Sequence, residues 1–223
     1  MRKISGFIAV SILLLASVCC NGQDTMRYPI NAMKGIRVGV DLSKLALPLL
    51  SRHERMGFEI TVDKHVKGNF FATAEAGWLQ TDLSRETYHY MSSGFYGKIG
   101  IDYNLLKSRR PGSNDILYGG LRYGMSVFSH KGEDITVPGY YWENATAQDI
   151  PQTVMSSGWI EFLLGIKAEV IKNFYIGMTF RGKFRIAKPK DNYSTPYFIP
   201  GYGSGSAGFA LGLNYYLSYN IRF

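Results

Sequence analysis

From residue 36 to the end of the chain, apolar and polar positions alternate with period two. The last stretch, 207–223, shows it best. Ala207, Phe209, Leu211, Leu213, Tyr215, Leu217, Tyr219, Ile221 and Phe223 fall on one parity, while Gly208, Ala210, Gly212, Asn214, Tyr216, Ser218, Asn220 and Arg222 fall on the other. Side chains alternate across a strand, so this pattern predicts one long β-strand with an apolar face and a small or polar face, Tyr216 being the exception. Seven earlier stretches share the pattern: 36–42, 55–62, 70–78, 95–103, 117–127, 159–169 and 174–186. No position on any of the apolar faces is charged.

Eight strands are expected, several of them longer than the usual 5–6 residues. Their connections alternate in length. Those after the second and sixth strands (63–68 and 171–173) are short, and the one after the fourth (105–115) is moderate with Pro111-Gly112 turn chemistry. Those after the first, third, fifth and seventh (43–52, 80–92, 129–156 and 188–206) run longer. An even strand number with short turns at one end and long loops at the other is the pattern of an antiparallel outer-membrane β-barrel, with short periplasmic turns and longer external loops. The last strand should pair with the first and leave no sheet edge.

The faces opposite the apolar ones carry Arg37, Asp41, Arg55, Glu59, Glu75, Lys98, Asp102, Arg122, Glu161, Lys167, Glu169, Arg181, Lys183 and Arg185. Two folds give such an alternation: a soluble lipocalin-like barrel with charges in water, and a membrane barrel with charges inside. Aromatic residues near the ends of the apolar faces (Phe70 and Trp78, Phe95 and Tyr103), the Gly content of the polar faces and the mix of charge signs favour the membrane barrel. The charges then point into a bore narrow enough for side chains to fill, where they are tolerated only if paired. The expected interior is a plug of salt bridges. The bases Arg181, Lys183 and Arg185 on one strand belong either to that network or to an anion site.

Composition changes the picture at the start of the chain. Of 223 residues, 1–22 read as a secretory signal, with Arg2 and Lys3 ahead of an apolar core from Phe7 to Leu15. That core is short for a membrane-spanning helix. Both cysteines, Cys19 and Cys20, fall within this segment, and the residues before them suit a lipobox poorly, so the mature chain is expected to have neither a disulfide nor a lipid anchor. Residues 23–34 form a polar periplasmic leader, and 35–223 the barrel. Losing Arg2 and Lys3 lowers the formal net charge from +8 to +6. The bases are scattered over strands and turns, which does not suit nucleic-acid binding.

Several stretches carry a resemblance: Gly35-Ile-Arg-Val-Gly-Val-Asp-Leu42, Ala74-Glu-Ala-Gly-Trp78, Gly97-Lys-Ile-Gly-Ile-Asp-Tyr-Asn104, Gly120-Leu-Arg-Tyr-Gly124 and Pro200-Gly-Tyr-Gly203. With them the chain resembles an uncharacterised family of small outer-membrane β-barrels of Bacteroidota-type bacteria. Its terminal Phe223 also resembles the aromatic ends of barrels recruited by the bacterial barrel-assembly machinery. The resemblance implies a place in the outer membrane, contact with its lipid and that assembly partner, and carries over no functional residue.

Candidate chemistry is sparse. His53, His65, His89 and His130 show no metal-ligand spacing, and residues 201–208 lack the ending of a phosphate loop, so no metal and no cofactor is expected. Ser129-His130 is the one candidate for a lipid-modifying hydrolase at the rim, without an identifiable acid partner. The aromatic load of the long loops, Tyr140, Tyr141, Trp142, Tyr197 and Phe198, suits either packing over the mouth or recognition of an extracellular ligand. The expected function is that of a non-catalytic envelope or surface-interaction protein. A conduit for a small or apolar molecule is the alternative.

Overall fold

The structure, a computed structural model, describes residues 35–51, 54–85, 88–106, 114–137, 146–187 and 195–222. The described residues are all-β apart from two single-turn helices. Its strands are β1 (Ile36–Asp41), β2 (Arg55–Lys67), β3 (Phe70–Arg85), β4 (Tyr88–Asn104), β5 (Ile116–Val137), β6 (Thr146–Ile171), β7 (Phe174–Ala187), β8 (Phe198–Ile199), β9 (Gly203–Ser204) and β10 (Phe209–Ile221). The helices are α1 (Leu42–Leu45) and α2 (Leu47–Leu50), between β1 and β2.

Eight strands close into a barrel in the order β1-β10-β7-β6-β5-β4-β3-β2, each antiparallel to its neighbours. Closure is between the first and last strands, in a register that sets Ile36 opposite Ile221 and Asp41 opposite Tyr216. The tight turns after β2 and β6 lie at one end, called the lower end here. Gly68 (φ 57°) and Asn173 (φ 70°) hold the left-handed conformation those turns need. The long connections lie at the upper end.

The barrel is polar inside and apolar outside. Phe95, Ile99, Leu121, Phe162, Phe180 and Leu211 are among many large apolar side chains exposed on the wall, whereas Arg37, Glu59, Glu75, Lys98, Arg122 and Arg181 are buried in the bore. That is the reverse of a lipocalin-like arrangement.

The strands run further upward than their hydrophobic pattern suggests. Residues 80–85, 88–92 and much of 129–156, read from the sequence as loops, belong to β3, β4, β5 and β6. Side-chain direction still alternates there, but the outward face becomes mainly polar and the inner face gains large apolar residues. Below the row Trp78–Phe95–Val127, apolar residues face out. Above it Leu79, Leu83, Tyr90, Phe128 and Met155 face in and are buried, while Asp82, Ser93, Ser129 and Lys131 face out. The apolar-out pattern therefore breaks at that row, with Met91 and Val154 as outward exceptions above it, although the ladder does not. Below it, β2 continues past Val62 to Lys67, so Asp63, expected in a turn, is an inward-facing strand residue buried in the bore.

The apolar segment after β1 is not strand. Pro48 lacks the N–H a ladder needs and sits at the start of α2. The Asp41 side chain caps α1, accepting from the Ser43 backbone N–H at 2.8 Å. Leu47 packs on the interior cluster, and Leu45 and Leu49 stay exposed at the upper rim.

Candidate functional site

The bore is filled in three tiers. In the lower tier, Arg37 on β1 donates through Nε to Asp63 Oδ1 on β2 at 2.9 Å, and Lys167 on β6 reaches the same carboxylate from the opposite wall. Aromatic faces line these cations: the Arg37 guanidinium lies 4.9 Å from the centre of Tyr175, and Lys167 Nζ 5.0 Å from that of Tyr118. Tyr118 Oη shares a 2.6 Å hydrogen bond with Thr179 Oγ1.

The middle tier centres on Glu75. Its two oxygens accept from Lys98 Nζ (2.8 Å), Arg122 Nε (3.2 Å), Arg181 Nη1 (2.8 Å) and Arg181 Nη2 (2.8 Å). Arg181 comes from β7, across the bore from Glu75 on β3. The same guanidinium donates to Glu161 Oε2 at 2.7 Å and to Tyr216 Oη. Glu59 accepts from Lys98 (2.9 Å), Tyr96 (2.7 Å) and Tyr216 (2.9 Å). Arg122 and Asp102 form a two-pronged pair at 2.7 and 2.9 Å, with Thr73 donating to the same carboxylate at 3.0 Å. Trp159 Nε1 donates to Glu161 at 2.7 Å, and Asn214 to Asp41. Glycines on the inner face make room for these side chains: a Cβ at Gly124 would lie 2.4 Å from the Trp159 ring.

The upper tier is a folded insert from the last long connection. β8 and β9 form a small hairpin. Ile199 and Tyr202 descend from it into a cluster with Leu79, Tyr96, Phe128, Met155 and Trp159. Lys183 holds the hairpin by donating to the carbonyls of Gly201 (2.6 Å) and Tyr202 (3.3 Å), and Arg185 donates to the carbonyl of Gly205. Gly201 has φ +79°, and a Cβ there would lie 2.6 Å from the Tyr96 ring.

Among the described residues, six bases (Arg37, Lys98, Arg122, Lys167, Arg181, Lys183) and six acids (Asp41, Glu59, Asp63, Glu75, Asp102, Glu161) are buried in the bore. Equal numbers allow every charge a counter-charge in a low-dielectric interior. Of the charges the sequence directs inward, three lie at the ends instead. Arg55 stacks on Phe198 at 4.7 Å, Arg185 holds the insert, and Glu169 accepts from Asn114 and the Asn173 backbone at the lower rim. Sequence reasoning missed Asp63; it set Tyr96, Tyr118 and Trp159 on the inward faces with the charges but not their hydrogen bonds to Glu59, Thr179 and Glu161. Lys183 touches carbonyls and, at 4.0 Å, Glu161.

Ser129 and His130 do not form a pair. Adjacent strand residues face opposite sides: Ser129 outward, His130 into the bore, buried. Among the described residues no group of three or more His, Cys, Asp or Glu is placed to hold a metal ion. Tyr197 is exposed and packs edge-on against Tyr90 at 5.8 Å, whereas Phe198 is half-buried under Arg55. Tyr140, Tyr141, Trp142, His53, Phe223 and residues 1–34 lie outside the described residues.

Comparison with curated proteins finds no match. A family model does match, over residues 3–223, and the chain thus belongs to the family described as a domain of unknown function, DUF6048.

Proposed function

We propose that this protein is a bacterial outer-membrane β-barrel with a sealed bore, a non-catalytic envelope component that meets other molecules through its upper mouth. One observation carries the membrane reading: the outward face of the strands changes from apolar to mainly polar at the row Trp78–Phe95–Val127 while the ladder continues. An apolar outer face is favourable against lipid, and a polar one against water. A single strand that changes from one to the other crosses a boundary between the two solvents.

Aromatic pairs agree with such a boundary. Phe70–Tyr103 (5.0 Å) and Phe174–Tyr219 (4.8 Å) sit low, and Phe58–Trp78 (6.4 Å) and Phe184–Phe209 (4.8 Å) sit high. Eight residue steps separate Phe70 from Trp78, which at about 3.3 Å per residue and a tilt of roughly 40° gives a band about 20 Å tall, near the ~25 Å of membrane barrels. The sealed bore rests on the two contacts that join opposite walls, Lys167–Asp63 and Arg181–Glu75, under the Ile199–Tyr202 insert.

Two measurements test this. The protein should sediment with outer-membrane fractions and float with lipid vesicles; a protein fully soluble without detergent refutes the assignment. Incorporated into planar bilayers it should show no steady conductance; reproducible open channels refute the sealed bore.

A further inference from the structure

We propose a binding site for one anionic phospholipid on the outer wall, its phosphate at Lys64 and one acyl chain in the groove that rises from it. This rests on the membrane reading above. The wall over β2–β6 contains an open concavity of about 720 Å³. Its floor is Ala72 and Ala74, flanked by Val62 on one side and by Ile99 and Ile101 on the other. The depth has a simple cause: two methyl side chains stand between rows of branched ones.

The register gives the groove a direction. Val62, Ala74, Ile99, Tyr123 and Ile160 lie on one line across five strands. Lys64 begins the next line, opposite Ala72. On the first line Val62 is five residues from the end of β2 at its lower turn, whereas Ile160 is eleven from the end of β6, and Lys64 stands two residues below Val62. The groove therefore climbs from the lower margin at Lys64 to the middle of the wall at Ile160. Four inter-strand steps of about 4.8 Å give it a length of about 19 Å. One leaflet of hydrocarbon is about 15 Å deep, so an inclined acyl chain fits it.

Charge chooses the occupant. Lys64 faces outward, exposed, and makes no ion pair among the described residues. It is the charged side chain on the groove's outer rim, since Arg122, the other base beside it, is buried in the bore on Asp102. A lysine at the margin of a lipid-facing wall lays its methylenes on the apolar surface and presents its ammonium at headgroup height. An anionic phosphodiester satisfies it, and the lipid's chain covers the groove. A second copy of this chain would bring another Lys64 or an apolar wall to the same place and leave the ammonium without an anion.

The experiment uses the full chain, extracted in mild detergent from vesicles containing equal phosphatidylglycerol and phosphatidylcholine, and weighed intact by native mass spectrometry. Flotation of the same vesicles is measured first. The wild type should retain one phosphatidylglycerol, about fivefold over phosphatidylcholine, the preference expected of one lysine near an anionic lipid. Lys64→Gln should bring the two lipids to parity. Ala74→Phe, which fills the floor, should lose both. Ala168→Phe, on the same outer wall away from the groove, should behave as wild type and shows that an added ring does not unfold the barrel. Equal retention of both lipids by the wild type, or unchanged retention by Ala74→Phe, overturns the site. So does a dimer that Ala74→Phe disperses, because the groove would then be an interface between copies. Protein that does not float refutes the membrane reading and the site with it; protein that floats but retains no phosphatidylglycerol refutes the site alone.

Discussion

Arg181→Met tests whether the bore is held by its charges. The arginine is fully buried and makes four hydrogen bonds, two to Glu75, one to Glu161 and one to Tyr216. Methionine fills much of the same volume without a charge, which leaves five buried bases against six acids. Removing one partner of a buried ion pair costs about 3–5 kcal/mol, because the remaining charge keeps its desolvation penalty. Here Glu75 retains Lys98 and Arg122, and Glu161 retains Trp159, which places the loss near the lower end, about 3 kcal/mol. The double variant Arg181→Met/Glu75→Gln restores five bases and five acids, with Lys98 still on Glu59 and Arg122 still on Asp102. Its penalty should fall short of the summed single penalties by about 1–3 kcal/mol. The assay is urea unfolding of protein folded into lipid vesicles, followed by tryptophan fluorescence and by the gel shift between folded and boiled barrel. A single variant within about 0.5 kcal/mol of wild type, or penalties that simply add, would refute the reasoning.

Other substitutions probe the remaining tiers. Asp63→Asn should cost about 3–5 kcal/mol in the same assay, since it leaves Arg37 and Lys167 buried without their carboxylate; Asp63→Glu should recover part of it. Gly201→Val should expel the insert, because its φ is unfavourable for a branched residue and its Cβ would meet the Tyr96 ring; limited proteolysis within 195–208 should then rise while the barrel's gel shift persists. Trp159→Phe removes the donor to Glu161 and should cost about 1.5–3 kcal/mol of unfolding free energy. At the upper margin, hydrogen bonding and charge from Lys131 hold the Glu133 carboxyl below its ordinary range. Stability from that pair is present above the ordinary carboxylate range and fades as pH falls through the depressed value; Lys131→Gln should move the Glu133 titration upward when followed by NMR.

The inward set of side chains was readable to the extent that polarity and parity coincide. Eleven of the fourteen charges assigned to the inner face are buried there, and Arg55, Arg185 and Glu169 stand at its ends. Asp63 was misread because polar neighbours Lys64, His65 and Lys67 make the end of β2 look like a turn. The upper halves of β3 to β6 were misread for a related cause. Where Leu79, Leu83 and Phe128 take the inward parity, the apolar-out pattern breaks although the backbone pairing does not. Ser129-His130 shows the opposite failure: proximity in sequence places the two on opposite faces of the wall.

Period-two alternation is local information. It follows from strand geometry alone, and so the eight barrel strands and the residues that share a face in each could be read from the chain, whereas which face points inward needed the aromatic, glycine and charge content besides. Partners across the bore could not be read from it. Arg181 meets Glu75 at a sequence separation of 106, and Lys167 meets Asp63 at 104. Those meetings depend on which strands stand opposite one another and on the stagger accumulated around the ring, quantities that exist only once the sheet has closed. The same holds for the groove beside Lys64. Each residue is plain in the sequence, but its slope from margin to mid-wall is a product of that stagger.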